Sequence, residues 1–209
     1  MIYKYRDLEP DEYIVIAGDP AEGHDNSAFV AISKKNADVV LVGQSKEDSA
    51  SLGHTLNHVG LYIESRTGLL PIVGVERNVG GSTINTLKNL NYRNLFKMPQ
   101  SFTKDTEETT DDYGWITSMA TRPKMLDELS LALKQNALTI PSKPIIDEMF
   151  SFIRHQKTGK PQADSSSNDD LVMATAIAWQ MYQIVPLKSS HDIIGTVRRN
   201  AHAQRKWSI

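Results

Sequence analysis

Residues Tyr13 to Gly18 read Tyr-Ile-Val-Ile-Ala-Gly, an almost unbroken apolar and β-branched run that predicts a strand buried on both faces and ending at Asp19. A polar turn, Pro20 to Asn26, separates it from a second run, Ser27 to Ser33. Lys34-Lys35-Asn36 then turns the chain into a third, Asp38 to Gln44. Short loops between three such runs predict an antiparallel meander. The period then changes: Leu52, Leu56, Val59, Leu61, Tyr62 and Ile63 recur at roughly helical spacing between Ser49 and Arg66, behind the acidic opening Glu47-Asp48. A fourth apolar run, Pro71 to Val75, ends at Glu76. Gly80-Gly81-Ser82 precedes another helix, reaching Asn89.

Farther on, Ser101 to Asp112 holds five acids and one lysine and reads as a loop. Helical spacing returns at Met125, Leu126, Leu129 and Leu133, and again at Ile145, Ile146, Met149 and Phe150. From Phe152 to Asp164 the cations Arg154, Lys157 and Lys160, without an acid before Asp164, surround Thr158-Gly159. That pattern predicts a protruding hairpin. A polar Ser165 to Asn168 segment leads into Asp169-Asp170 and a last helix, Leu171 to about Gln183. A meander, a crossover helix and a returning strand predict a mixed α/β domain in which the run at Pro71 to Val75 lies parallel to the first.

The 209 residues are 40% hydrophobic, enough for one core, and the net charge of −2 means that any nucleic-acid surface must be a local patch. The chain has no cysteine, which excludes disulfides, thiol catalysis and Cys-ligated zinc or iron–sulfur clusters and fits a reducing compartment. No apolar run approaches the roughly 18 residues that cross a bilayer.

Carboxylates at the ends of buried strands must be solvated, paired or bound to a cation. Here Asp19 and Glu76 occupy equivalent strand ends, and Asp169-Asp170 opens a helix whose dipole favours anions. The blander reading of each is an Asx-turn at Asp19, an ion pair of Glu76 with Arg77, and a cap at Asp169. Together they form a set of hard oxygen donors suited to Mg²⁺ or Mn²⁺. Two such ions roughly 3.5–4 Å apart can drive phosphodiester hydrolysis. Helical phase groups Asp170 with Ala174 and Ile177 and sets Asp169 about 100° round the helix; both stay candidates.

The segments Gly18-Asp19-Pro20-Ala21-Glu22-Gly23-His24-Asp25-Asn26-Ser27-Ala28, Val75-Glu76-Arg77-Asn78 and Asn168-Asp169-Asp170-Leu171-Val172-Met173-Ala174 resemble the C-terminal nuclease domain of the large terminase subunit of tailed bacteriophages. Tyr113 to Thr117 and Thr121 to Leu126 look like that family too. The resemblance implies a ribonuclease H-like fold, with an antiparallel start to the sheet and parallel strands after it, flanked by helices. It implies a two-metal endonuclease of little sequence preference that cuts concatemeric viral DNA during packaging, in the cytoplasm of the bacterial host. By resemblance Asp19, Glu76 and Asp169 or Asp170 are metal ligands and catalytic acids, and Asp25 a further ligand or an ordinary turn residue. Arg77, Arg154, Lys157 and Lys160 are candidate contacts to double-stranded DNA, and His155 is a weaker one. Gly80-Gly81 is a candidate phosphate approach. No Gly-x4-Gly-Lys-[Ser/Thr] loop occurs in these residues. The resemblance implies that residues 13–184 are the nuclease domain, residues 1–12 the remnant of an interdomain linker and residues 185–209 a basic tail, with an N-terminal ATPase domain, the portal and the small terminase subunit as partners. Rival readings are an actin-like or sugar-kinase-type ATPase, a junction resolvase or transposase core, and a non-catalytic docking module of the packaging motor.

Overall fold

A computed structural model describes residues 1–21, 26–99, 113–157 and 169–189, without the side chains of 152–157. Five strands, β1 (Ile2–Lys4), β2 (Ile14–Asp19), β3 (Ser27–Ser33), β4 (Val39–Ser45) and β5 (Ile72–Val75), form one sheet in the order β1-β4-β3-β2-β5. β2, β3 and β4 are the expected antiparallel meander, and β5 pairs parallel to β2 with Gly18 opposite Val75. The fold class is the ribonuclease H-like one expected from the sequence.

Strand alternation sorts the core into two layers. Ile14, Ile16, Phe29 and Ala31 face α1 (Ser49–Thr67) and α2 (Gly81–Asn89), packing on Leu52, Leu56 and Leu87. Tyr13, Val15, Ala17, Val30 and Ile32 face the other way, onto α5 (Asp170–Ile184), with α3 (Thr121–Lys134) and α4 (Lys143–Lys157) outside it. α1 starts where Asp48 accepts the Ser51 N–H at 2.8 Å and stops at Gly68, whose φ of 77° is left-handed. α5 is buried on every side from Leu171 to Met181, between the sheet and α3 and α4. It therefore has no polar face, and its ends alone can carry chemistry.

Two expectations change. The first dozen residues, read as a linker remnant, supply β1, which pairs with β4 at the sheet edge. Arg6 anchors this segment through ion pairs with Glu12, which is fully buried, and with Asp38 at 2.6 Å. The hairpin expected from Phe152 is instead the last turns of α4, which run through Lys157. Arg154, Gln156 and Lys157 are good helix formers, and Ile153 continues the four-residue apolar repeat begun at Ile145 and Met149. Thr158-Gly159, the Ser101 to Asp112 loop and the chain beyond Ser189 lie outside the described residues.

Candidate metal centre

β2 and β5 bring two acids to one point by register alone. Gly18 pairs with Val75, so Asp19 and Glu76 are the next residues on neighbouring parallel strands, and the Glu76 N–H donates to the Gly18 carbonyl at 2.8 Å. Parity decides which way they face. Asp19 shares the phase of Val15 and Ala17, whose side chains pack in the α5 layer. Glu76 shares the phase of Gly74, where a Cβ would strike Met181 of α5. Both carboxyls therefore project to the α5 side of the sheet, where Asp169 and Asp170 begin that helix.

The backbone around Glu76 is held from its other side by Trp115. The Trp115 N–H donates to the Val75 carbonyl at 2.8 Å, and the Arg77 N–H donates to the Trp115 carbonyl at 2.7 Å. This close approach depends on Gly114, at φ 98°, where a Cβ would lie 2.5 Å from the Val75 oxygen. Asn78 extends the clamp, donating from Nδ2 to the Thr117 carbonyl at 2.5 Å. Gly80 also has a packing reason: a Cβ there would sit 2.2 Å from the Glu76 carbonyl oxygen. Its place is explained without a phosphate.

The electrostatics are those of acids crowded together. Asp19 is 9% exposed, and its carboxyl is pushed up to about 9 by burial first and then by the charge of Glu76 and a hydrogen bond with it. Asp170 and Asp169 raise it further, Asp170 more strongly. The two helical acids have separate settings. Asp169 is the residue before α5 and takes an ion pair from Arg122 Nη2 at 2.5 Å, whereas Asp170 is the first helical residue and its Oδ2 is shielded from solvent.

Two charged residues here were not singled out from the sequence. Arg122 lies in the first turn of α3, which is fixed where Thr121 Oγ1 donates to the Ile116 carbonyl at 2.9 Å. Glu148 of α4 accepts the Val172 N–H through Oε1 at 2.9 Å. Its carboxyl is raised to about 7 by burial, against the Val172 hydrogen bond, with Asp170 and Asp169 adding to the rise. The signal for Glu148 was present in its phase: it stands three residues after Ile145, on the stripe that turns inward. Arg122 carried no comparable signal, because its partner lies 47 residues away.

Among the described residues, no three His, Asp or Glu side chains already stand as a metal-binding set. The fit to a divalent ion is one of donor chemistry and placement: carboxylate oxygens alone, two of them on a rigid sheet edge, facing a buried helix end. Asp25 and Lys160 lie outside the described residues, as do the side chains of Arg154, His155 and Lys157.

No family model matches the chain, and no curated protein matches it. Solved structures do. The large terminase nuclease of the thermophilic phage G20c aligns over 87% of this chain and 88% of its own, with a TM-score of 0.61 and 17% identity. The same nuclease with bound magnesium gives a TM-score of 0.58 at 16% identity, covering 86% of each chain. The human cytomegalovirus terminase nuclease domain, soaked with manganese and holding an inhibitor, aligns over 82% of this chain and 83% of its own, with a TM-score of 0.55 and 11% identity. At these identities the likeness establishes a fold: this chain is built as large terminase nuclease domains are.

Proposed function

We propose that the protein is a divalent-metal-dependent DNA endonuclease of the terminase type. The observation that carries the reading is the register of β2 and β5, which sets Asp19 and Glu76 side by side on the face that meets the first turn of α5. Asp19, Glu76 and Asp170 would hold Mg²⁺ or Mn²⁺, with Asp169 and Asp25 as the remaining donors for a second ion. The chemistry supplied by such ions when bound is activation of water and charge neutralisation at the departing oxygen. The chain's own part is positional. The sheet edge keeps the Asp19 and Glu76 oxygens at a fixed spacing, so a phosphodiester seated against them needs little rearrangement. Water adds at phosphorus, one P–O ester bond breaks, and the released alkoxide takes a proton.

Arg77 adjoins Glu76, while Arg154, Lys157 and Lys160 come from the end of α4 and the segment after it. We assign these cations to duplex phosphates, which positions DNA without reading its sequence. The proposed setting is viral genome packaging in the bacterial cytoplasm, with an ATPase domain, the portal and the small terminase subunit as partners. The fold likeness and the metal-bound neighbours support this setting. An actin-like ATPase would leave the acids at the start of α5 without a use, and the fold likeness to nucleases weighs against it.

The test is cleavage of supercoiled plasmid in EDTA, Mg²⁺ or Mn²⁺, with Asp19→Ala as the matched control. Nicking and linearisation that need a divalent ion and vanish in the variant are expected, with more activity in Mn²⁺, whose coordination is less demanding. A folded parent that cuts in no metal would instead favour a docking module.

A further inference from the structure

α5 lacks a cap of its own. The Asp169 side chain makes no capping hydrogen bond to the helix and is held by Arg122 instead, although an acid at this position ordinarily accepts the second or third N–H of its helix. The N–H in question belongs to Val172, and Glu148, from a different helix 24 residues earlier, accepts it at 2.9 Å. The N–H of Leu171, the second residue of the helix, also acts on the Glu148 carboxyl and lowers its pKa. A cap supplied from outside has a consequence that a local one does not. It relieves Asp169 of helix capping and fixes the end of α5 relative to α4.

We propose that Glu148 is a positioning residue of the nuclease centre, holding the first turn of α5 so that Asp169 and Asp170 present their carboxylates to Asp19 and Glu76. This rests on the nuclease reading above. Glu148 acts as a hydrogen-bond acceptor, so a neutral carbonyl in the same place serves equally well. Arg122 on α3 supplies the second restraint, through Asp169 at 2.5 Å. The acid pair is thus set by two helices that carry none of the sheet-edge acids themselves.

The experiment compares the parent, Glu148→Ala and Glu148→Gln in plasmid cleavage across a Mn²⁺ titration, with amide hydrogen exchange at Leu171 and Val172. Glu148→Met, which fills the space without an acceptor, replaces the alanine variant if that one does not fold. Removing the acceptor is expected to lower kcat about ten- to hundredfold, the usual cost of losing a group that orients a metal ligand, with KM for DNA unchanged. It also speeds exchange at the two amides. Glu148→Gln restores both. Parent-like cleavage by Glu148→Ala would overturn the proposal, as would a glutamine variant as impaired as alanine, which would make the charge itself the active feature. A parent that neither cuts nor binds Mn²⁺ would remove the nuclease reading and the catalytic role of Glu148 with it. Exchange then still reports the cap by itself: equal protection in all three proteins would show that Glu148 does not hold the turn.

Discussion

Among the described residues two clusters of acids each centre on one buried carboxyl, Glu12 in one and Asp19 in the other, and they are solved in opposite ways. At one edge Glu12 and Asp38 enclose the guanidinium of Arg6. Burial alone would raise the Glu12 carboxyl, yet its hydrogen bonds with Arg6 and the Glu9 backbone hold it below the ordinary range. At the ends of β2 and β5, Asp19 is also buried, but its near neighbours are Glu76, Asp170 and Asp169, and its carboxyl is raised to about 9. The first cluster carries its cation within the chain and is a structural clamp. The second is arranged so that an added cation relieves it, which is the electrostatic signature expected of a functional site.

That contrast can be broken most severely at Asp19. Asp19→Asn and Glu76→Gln should each abolish plasmid cleavage while leaving the protein folded, and Asp19→Asn should raise the melting temperature measured in EDTA above neutral pH, because an amide is spared the burial of a charge and the repulsion of Glu76. Parent-like cutting by both would end the metal-centre account. The reverse pattern is expected at the clamp. Arg6→Ala leaves Glu12 buried without its guanidinium and should cost about 3 kcal/mol, the low end for a broken buried pair, in denaturant unfolding. At temperatures where the variant is folded, its cleavage should match the parent.

A pH series sharpens the same comparison. Asp19 and Glu148 have folded pKa values above their unfolded ones, so the native state holds more protons between about pH 4 and the values near 9 and 7. Stability contributed by these protonated groups is complete at low pH and declines as pH rises through that window. Melting in EDTA should therefore fall by roughly 5 °C or more between pH 5 and pH 9, at about 2–4 °C per kcal/mol for a chain this size. Mn²⁺ should reverse much of the loss, and Asp19→Asn should flatten the curve. A smaller effect is expected from Gly114→Ala, which forces a side chain into a left-handed backbone beside Val75 at about 1–3 kcal/mol. It should lower cleavage more than it lowers DNA binding, measured by a plasmid assay and by fluorescence anisotropy. Smallest is Lys157→Ala, which should weaken binding to all duplexes alike and reduce the salt slope by about one.

Much of this was legible in residue order. The buried strands announce themselves by apolar runs, and because each ends on an acid, the same pattern that locates β2 and β5 locates Asp19 and Glu76. The acid pair at the start of α5 is visible because the Leu171 to Ala178 run that follows it holds no charge and a single hydroxyl, Thr175. What was not legible depends on pairing through space. Ile2–Lys4 is too short and exposed to mark a strand, and β4 makes it one. The sequence around Arg154 and Lys157 reads as the flank of a turn, but the helix that passes Met149 runs on through Lys157. Arg122 and Glu148 act on a helix far along the chain, and only packing of α3 and α4 against α5 reveals their partners.

The central claim is that the acids at the ends of β2, β5 and the start of α5 receive a divalent cation. The most direct test is Mn²⁺ binding followed by electron paramagnetic resonance, comparing the parent with Asp19→Asn and Arg6→Ala at neutral pH. The account predicts saturable loss of the free Mn²⁺ signal with the parent and with Arg6→Ala, and none with Asp19→Asn. Equal binding by the parent and Asp19→Asn, or no binding by either with duplex DNA present, would contradict it.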